Sequence, residues 1–240
     1  MSTDIRQYWD DRARAAAGNP TATTDDVYLR NLESTVLINE LHSILGQRSV
    51  RILDVGCGDG KTTLDLARRF PRTSFLGIDF SQEMIASAKN YASSTHSHQV
   101  CFEVGDARAL RDIVGDNKFD VVLTNRCLIN IVDRQEQWAV VKEFAAALAP
   151  DGAYLGTENF LDGQENMNAL RRSLNLPNIE IRWHNLYFKE AEFLAYANTI
   201  FRSVELINFS SAYYLITRCV YSALCKQENK SPDYNHPIHA

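Results

Sequence analysis

Glycines at 56, 58 and 60, led by Asp54 in Asp54-Val55-Gly56-Cys57-Gly58-Asp59-Gly60, have the spacing of a turn that brings backbone close to a ligand. Without side chains, such a turn can aim amide groups at what it binds. Three ligand classes use turns of this kind, and the spacing separates them. A dinucleotide turn needs G-x-G-x-x-G, but the sixth position counted from Gly56 is Lys61. A phosphate loop needs a glycine five residues before Gly60, where this chain has Val55, so Gly60-Lys61-Thr62 is a chance match. What remains is D-x-G-x-G-x-G. About 20 residues further on stands Asp79, an acid placed to accept hydrogen bonds from a ribose diol. Asp106 follows a third apolar run. The alternative for both acids is that each caps the helix after its strand.

These groups need a scaffold, and the hydrophobic pattern supplies one. Short apolar runs at 51–55, 74–79, 100–104, 119–123 and 153–157 read as buried strands. Between them lie helical patterns. Residues 29–45 carry Leu29, Leu32, Val36 and Leu41 on one face, and 61–70 end near Pro71. Ser81 is the expected N-cap of a helix presenting Met84, Ile85 and Ala88. Asp133 with Glu136 has capping-box spacing ahead of Trp138, Val141 and Phe144. Pro150-Asp151-Gly152 reads as a turn. The alternation predicts a doubly wound, Rossmann-like α/β domain with helices on both faces of a mostly parallel sheet.

After Glu158 the rhythm breaks. Residues 159–188 read as an insertion with a helix carrying Met167 and Leu170, and 189–198 as another helix. Runs 201–209 and 212–221 read as strands joined by Ser210-Ser211, a link too short for a parallel crossover, which makes the last strand antiparallel. The expected organisation is one domain over 1–225, with N-terminal lid and helices over 1–45, and a polar tail over 226–240.

Five pieces in order resemble the class I S-adenosylmethionine-dependent methyltransferases. They are the glycine turn, Gly77-Ile78-Asp79-Phe80-Ser81, Gly105-Asp106-Ala107, Phe119-Asp120-Val121-Val122-Leu123-Thr124-Asn125 and Leu148-Ala149-Pro150-Asp151-Gly152. The resemblance implies a seven-stranded sheet with the last strand antiparallel, and S-adenosylmethionine as cofactor. It also implies a cofactor site of Asp54, Gly56, Gly58, Asp79, Phe80, Met84, Asp106, Ala107 and Asn125, closed by Tyr8 and Arg30 of the lid. In that site Asp79 would hold the ribose and Asp106 the adenine amine.

Methyl transfer from a sulfonium asks the protein mainly for alignment and exclusion of water, so no catalytic triad is expected. Thr124-Asn125-Arg126-Cys127 stands where the amino methyltransferases acting on adenine or glutamine carry a Pro-Pro-aromatic sequence. Cys127 also lacks the proline of the cytosine-C5 class. Arg126 either binds an anionic group or pairs with a nearby carboxylate. His184, within Ile181-Arg182-Trp183-His184-Asn185-Leu186-Tyr187-Phe188, is the candidate general base, and Trp183, Glu158 and Asn159 are candidate substrate contacts.

The chain has 240 residues, with 25 Lys and Arg against 30 Asp and Glu. A net charge of -5 gives no counter-ion-releasing footprint for nucleic acid or an anionic membrane. Five cysteines without a C-x-x-C pair support neither a metal site nor a disulfide framework. No apolar run reaches the ~18 residues of a membrane span. The expectation is a cytoplasmic methyltransferase acting on an O or N atom of a small molecule such as a sugar or secondary metabolite. Its rivals are a non-catalytic binding domain acting as a regulatory partner and a nucleotide-dependent oxidoreductase.

Overall fold

A computed structural model describes residues 3–16, 22–46, 48–233 and 236–239. Of the expected lid, 1–2 and 17–21 lie outside the described residues, as do 234–235 and 240 of the expected tail. The apolar runs become strands β1 (Arg51–Val55), β2 (Ser74–Asp79), β3 (Val100–Val104), β4 (Phe119–Asn125) and β5 (Leu148–Thr157). They lie in the order β3-β2-β1-β4-β5, all parallel. All carboxyl ends therefore share one edge, and the order reverses between β1 and β4, where a crevice opens in such sheets.

The helices are α1 (Thr3–Ala16), α2 (Val27–Leu45), α3 (Lys61–Arg69), α4 (Gln82–Ser94), α5 (Leu110–Val114), α6 (Arg134–Ala147), α7 (Leu161–Ser173), α8 (Glu190–Ala197), α9 (Ser211–Tyr214) and α10 (Tyr221–Gln227). Side chains alternate across the sheet. Ile52, Val121 and Leu123 pack with Leu37 and Leu41 of α2, Leu64 of α3 and Ile85 of α4. Leu53, Val55 and Val122 pack on the other face with Leu110 of α5, Val141 and Phe144 of α6 and Phe193 of α8. Burial on both faces is why the strands read as unbroken apolar runs.

The expected caps form. Ser81 Oγ accepts from Met84 N at 3.1 Å, and Asp133 Oδ1 from Glu136 N at 2.9 Å. Replacing Asp133 with alanine should lower the unfolding free energy by about 1 kcal/mol in a urea titration, leaving ligand binding unchanged.

Four expectations are corrected. Among the described residues the sheet has five parallel strands, not seven with an antiparallel one. Residues 201–209 carry no ladder hydrogen bonds, and Leu206 and Ile207 are exposed. Residues 212–221 are helical. They comprise α9, a π-helical segment Leu215–Val220 and the start of α10. The π segment brings Tyr213 and Arg218, five residues apart, to one partner, Asp26. The Pro150-Asp151-Gly152 turn is absorbed as a kink within β5. Phe119 pairs with Leu148 and Val121 with Ala153, and Asp151 takes φ 61°.

Candidate functional site

At the carboxyl edge of β1 the glycine turn is held to β2 by Gly56 N and Cys57 N, which both donate to Ile78 O at 2.7 and 3.0 Å. Gly56, Gly58 and Gly60 have φ of 73, 56 and 73°, the left-handed region that favours glycine. Gly58 N donates to Asp79 Oδ2 and Ser81 N to Asp79 Oδ1, each at 2.9 Å. Burial pushes the Asp79 carboxyl up to about 6 against these two donors. Asp79 lines one end of a partly open cavity of about 1430 Å³ that extends along β5, and at this end Gly56, Gly58, Phe80, Met84, Ala107 and Asn125 also line it.

Two expected acids stand elsewhere. Asp54 is buried beneath the turn and accepts from Thr63 Oγ1 at 2.6 Å, and burial pushes its carboxyl up to about 7. Asp106 is committed to Arg108, which donates to it from the backbone at 3.0 Å and from Nη2 at 2.7 Å. Burial would raise the Asp106 carboxyl, but these bonds hold it below its ordinary value. An Asp-x-Arg string carries the signal for that pairing. Gly105 and Ala107, its neighbours, are the residues on the cavity wall.

This wall fits a nucleoside with a cationic substituent. It has a bare backbone turn, a ribose-height carboxylate with lone pairs to spare, and apolar Phe80, Met84, Ala107 and Ile129 for a base. Residues 52–152, from β1 into β5, match the methyltransferase domain family. This stretch is a methyltransferase domain of the class I, S-adenosylmethionine-dependent kind.

The cofactor that goes with this methyltransferase domain is S-adenosylmethionine. Among curated relatives, a malonyl-[acyl-carrier protein] O-methyltransferase of Bacillus cereus is 27% identical over 163 residues, 64% of this chain and 57% of that protein. A trans-aconitate 2-methyltransferase of Variovorax paradoxus is 33% identical over 104 residues, 43% and 36% of the two chains. A solved S-adenosylmethionine-dependent methyltransferase of Methanosarcina mazei matches with a TM-score of 0.54 at 26% identity, over 67% of this chain and 82% of that one. The chain spans about half the length of the curated relatives it matches.

The far wall of the methyltransferase cavity comes from segments outside the matched stretch. Helix α1 contributes Trp9 and Arg12 to the cavity lining. Trp9 Nε1 donates to Asn130 Oδ1 at 3.2 Å, Ser81 Oγ donates to Asp10 Oδ1 at 2.5 Å, and Tyr8 stacks on His184 with centroids 4.5 Å apart. Arg30, of α2, donates to Thr23 Oγ1 at 2.9 Å. Thr23 in turn lies against Gly58, where an added Cβ would meet its Cγ2 at 2.6 Å. Glu158 and Asn159 line the cavity. Glu158 is fully engaged, accepting from Cys127 N, Leu128 N and Ile129 N at 3.0 to 3.2 Å and from Thr124 Oγ1. Burial pushes its carboxyl up to about 7 against those donors. Trp183 is 60% exposed and packs edge-on to Tyr8 outside the cavity.

His184 lines the cavity and is only 3% exposed. Burial, then Arg182 and Arg12, push the ring down to about 4, so it is neutral at pH 7. The fold therefore binds fewer protons than the unfolded chain, and stability contributed above pH 6.5 is lost as pH falls toward 4. His184→Gln should flatten that dependence by on the order of 1–2 kcal/mol, measured by urea unfolding between pH 7 and pH 4.5.

Sequence reasoning missed Asp26, Glu33, Tyr214 and Arg218, which all line the cavity. Arg218 pairs with Asp26, and Tyr213 donates to the same carboxylate at 2.7 Å. Among the described residues no cluster of His, Cys, Asp and Glu is arranged to hold a metal ion, and no helix is long and apolar enough to cross a membrane.

Proposed function

We propose that the chain transfers a methyl group from S-adenosylmethionine to an oxygen or nitrogen atom of a small molecule, such as a sugar or secondary metabolite. The observation that carries this reading is the single cavity running from Gly56 and Asp79 to Arg126, Asn159 and His184. In this reading the cofactor wall and the acceptor wall share that one partly open cavity. When bound, the cofactor supplies a methyl group on a sulfonium, already activated for displacement.

The chain's own residues then orient and shield. Asp79 holds the ribose, and Gly56 and Gly58 let the ligand approach the backbone. Tyr8 and Trp9 close α1 over the site and exclude water. His184, neutral and clamped under α1, shapes the acceptor wall. Glu158 fixes the backbone after β4 that presents Arg126 and Cys127. The name of one curated relative, a malonyl-[acyl-carrier protein] O-methyltransferase, favours an oxygen acceptor. In the same reading residues 1–225 act as one cytoplasmic domain, with 159–188 selecting the acceptor and no nucleic-acid partner.

Isothermal titration with S-adenosylmethionine, S-adenosylhomocysteine and NAD is the direct test. Micromolar binding of the two sulfur ligands and none of NAD is expected; failure to bind either sulfur ligand would sink the reading. Radiolabelled methyl transfer to an acceptor library then separates an enzyme from a binding domain without turnover.

A further inference from the structure

We infer that Arg126 anchors a carboxylate of the acceptor, so that this enzyme's substrates are acids held between Arg126, Tyr187 and Tyr214. This rests on the methyl-transfer reading above. Arg126 follows β4 with φ 57°, a conformation uncommon for a side chain of its size, and Arg126 N donates to Thr157 O at 2.7 Å to fix it. Its guanidinium lies on the cavity wall, one-quarter exposed.

Its ion-pair partner is Glu33 Oε2 at 3.4 Å, a buried oxygen that accepts no hydrogen bond among the described residues. The planar fork of Arg126 is thus engaged only by this long ion pair, and such a fork can take up a carboxylate bidentately. Glu33 is a poor permanent counter-ion, because burial raises its carboxyl despite Arg126. Tyr187 and Tyr214 stand in the same wall, and Arg126 eases the ionisation of both phenols, which places them within its field. Both come from segments on the acceptor side. Arg30, by contrast, is bonded to Thr23 against Gly58, on the cofactor side. The two arginines therefore divide the cavity, and Arg126 belongs to the acceptor.

Benzoate and its neutral isostere benzamide probe this without knowledge of the natural substrate. In calorimetric titration of the protein saturated with S-adenosylhomocysteine, benzoate should bind roughly tenfold tighter than benzamide or better. Arg126→Met should erase the difference, Arg126→Lys should keep part of it, and Glu33→Gln, which removes the competing carboxylate, should enlarge it. None should change S-adenosylhomocysteine affinity more than about twofold.

Equal binding of benzoate and benzamide by wild type would overturn the inference, as would a Glu33→Gln variant that binds benzoate no better. It also falls if Arg126→Met weakens S-adenosylhomocysteine tenfold but spares 5′-methylthioadenosine, which lacks the amino-acid carboxylate, since Arg126 would then serve the cofactor. If S-adenosylhomocysteine does not bind at all, the methyl-transfer reading fails first. The benzoate comparison on the free protein still decides the role of Arg126.

Discussion

Asp79→Asn is expected to weaken S-adenosylhomocysteine binding by on the order of a hundredfold, read by isothermal titration at pH 7.5. In the wild type each Asp79 oxygen already accepts one backbone N–H, from Gly58 and from Ser81, and each has a lone pair left for a ribose hydroxyl. Asparagine replaces one oxygen with an NH₂ group. That group must face either the Gly58 or the Ser81 donor, and a charge-assisted acceptor for the ligand is lost at the same time. Burial has pushed the wild-type carboxyl up to about 6. Ligand affinity should therefore fall as pH drops from 7 to 5, while the variant stays flat. The sign is reversed for stability of the ligand-free protein: a raised carboxyl favours the protonated fold, so ionisation costs stability as pH rises from about 4 to 6. A folded Asp79→Asn protein with wild-type affinity would leave Asp79 as a helix cap alone.

Gly56→Ala should cost about 2–5 kcal/mol of stability, a large share of the roughly 5–15 of an ordinary domain, and should abolish cofactor binding. The residue sits at φ 73°, which costs about 1–2 kcal/mol for an alanine. An added Cβ would lie 2.6 Å from Cys127 Sγ and 2.7 Å from Cys127 Cβ, overpacking worth about 1–3 kcal/mol. Urea unfolding resolves the two contributions. Gly46→Ala, at φ 55° and ψ −124° with nothing within 4 Å of its Cβ, should show a purely conformational cost, about 1–3 kcal/mol. Cys127→Gly in the Gly56→Ala background should restore only the steric part. A Gly56→Ala protein as stable as wild type would show that the turn relaxes away from β4.

The sheet was legible where the chain states its structure locally. Strands 51–55 and 119–123 are apolar on both faces, Ser81 and Asp133 announce helix starts, and the glycine turn and Asp79 sit at consecutive strand ends. The region after residue 200 was not, for a physical reason. Aromatic and β-branched residues from 212 to 221 suit a strand or a buried helix equally. The deciding partner, Asp26, is 187 residues from Tyr213 in sequence and receives both Tyr213 and Arg218. Glu158 was legible as a cavity residue but not as the acceptor for three successive backbone amides, because backbone donors leave no mark in sequence. Asp106 was read for its ligand and missed for its neighbour Arg108. Trp183 and His184 are adjacent, yet one faces solvent and the other the cavity, a division that follows from the packing of α1 rather than from residue type.

Helix α1 touches both halves of the site. Through Asp10 and Arg14 it meets Ser81 and Glu83 at the start of α4, beside Asp79, and through Tyr8 it meets Arg182 and His184 across the cavity. Any ligand that settles α1 from one side has already met part of the ordering cost for a ligand on the other. Cofactor and acceptor affinities are then linked by one coupling free energy, equal whichever molecule arrives first. On the proposed function, the helix would make recognition of the two partners a single cooperative event rather than two independent ones.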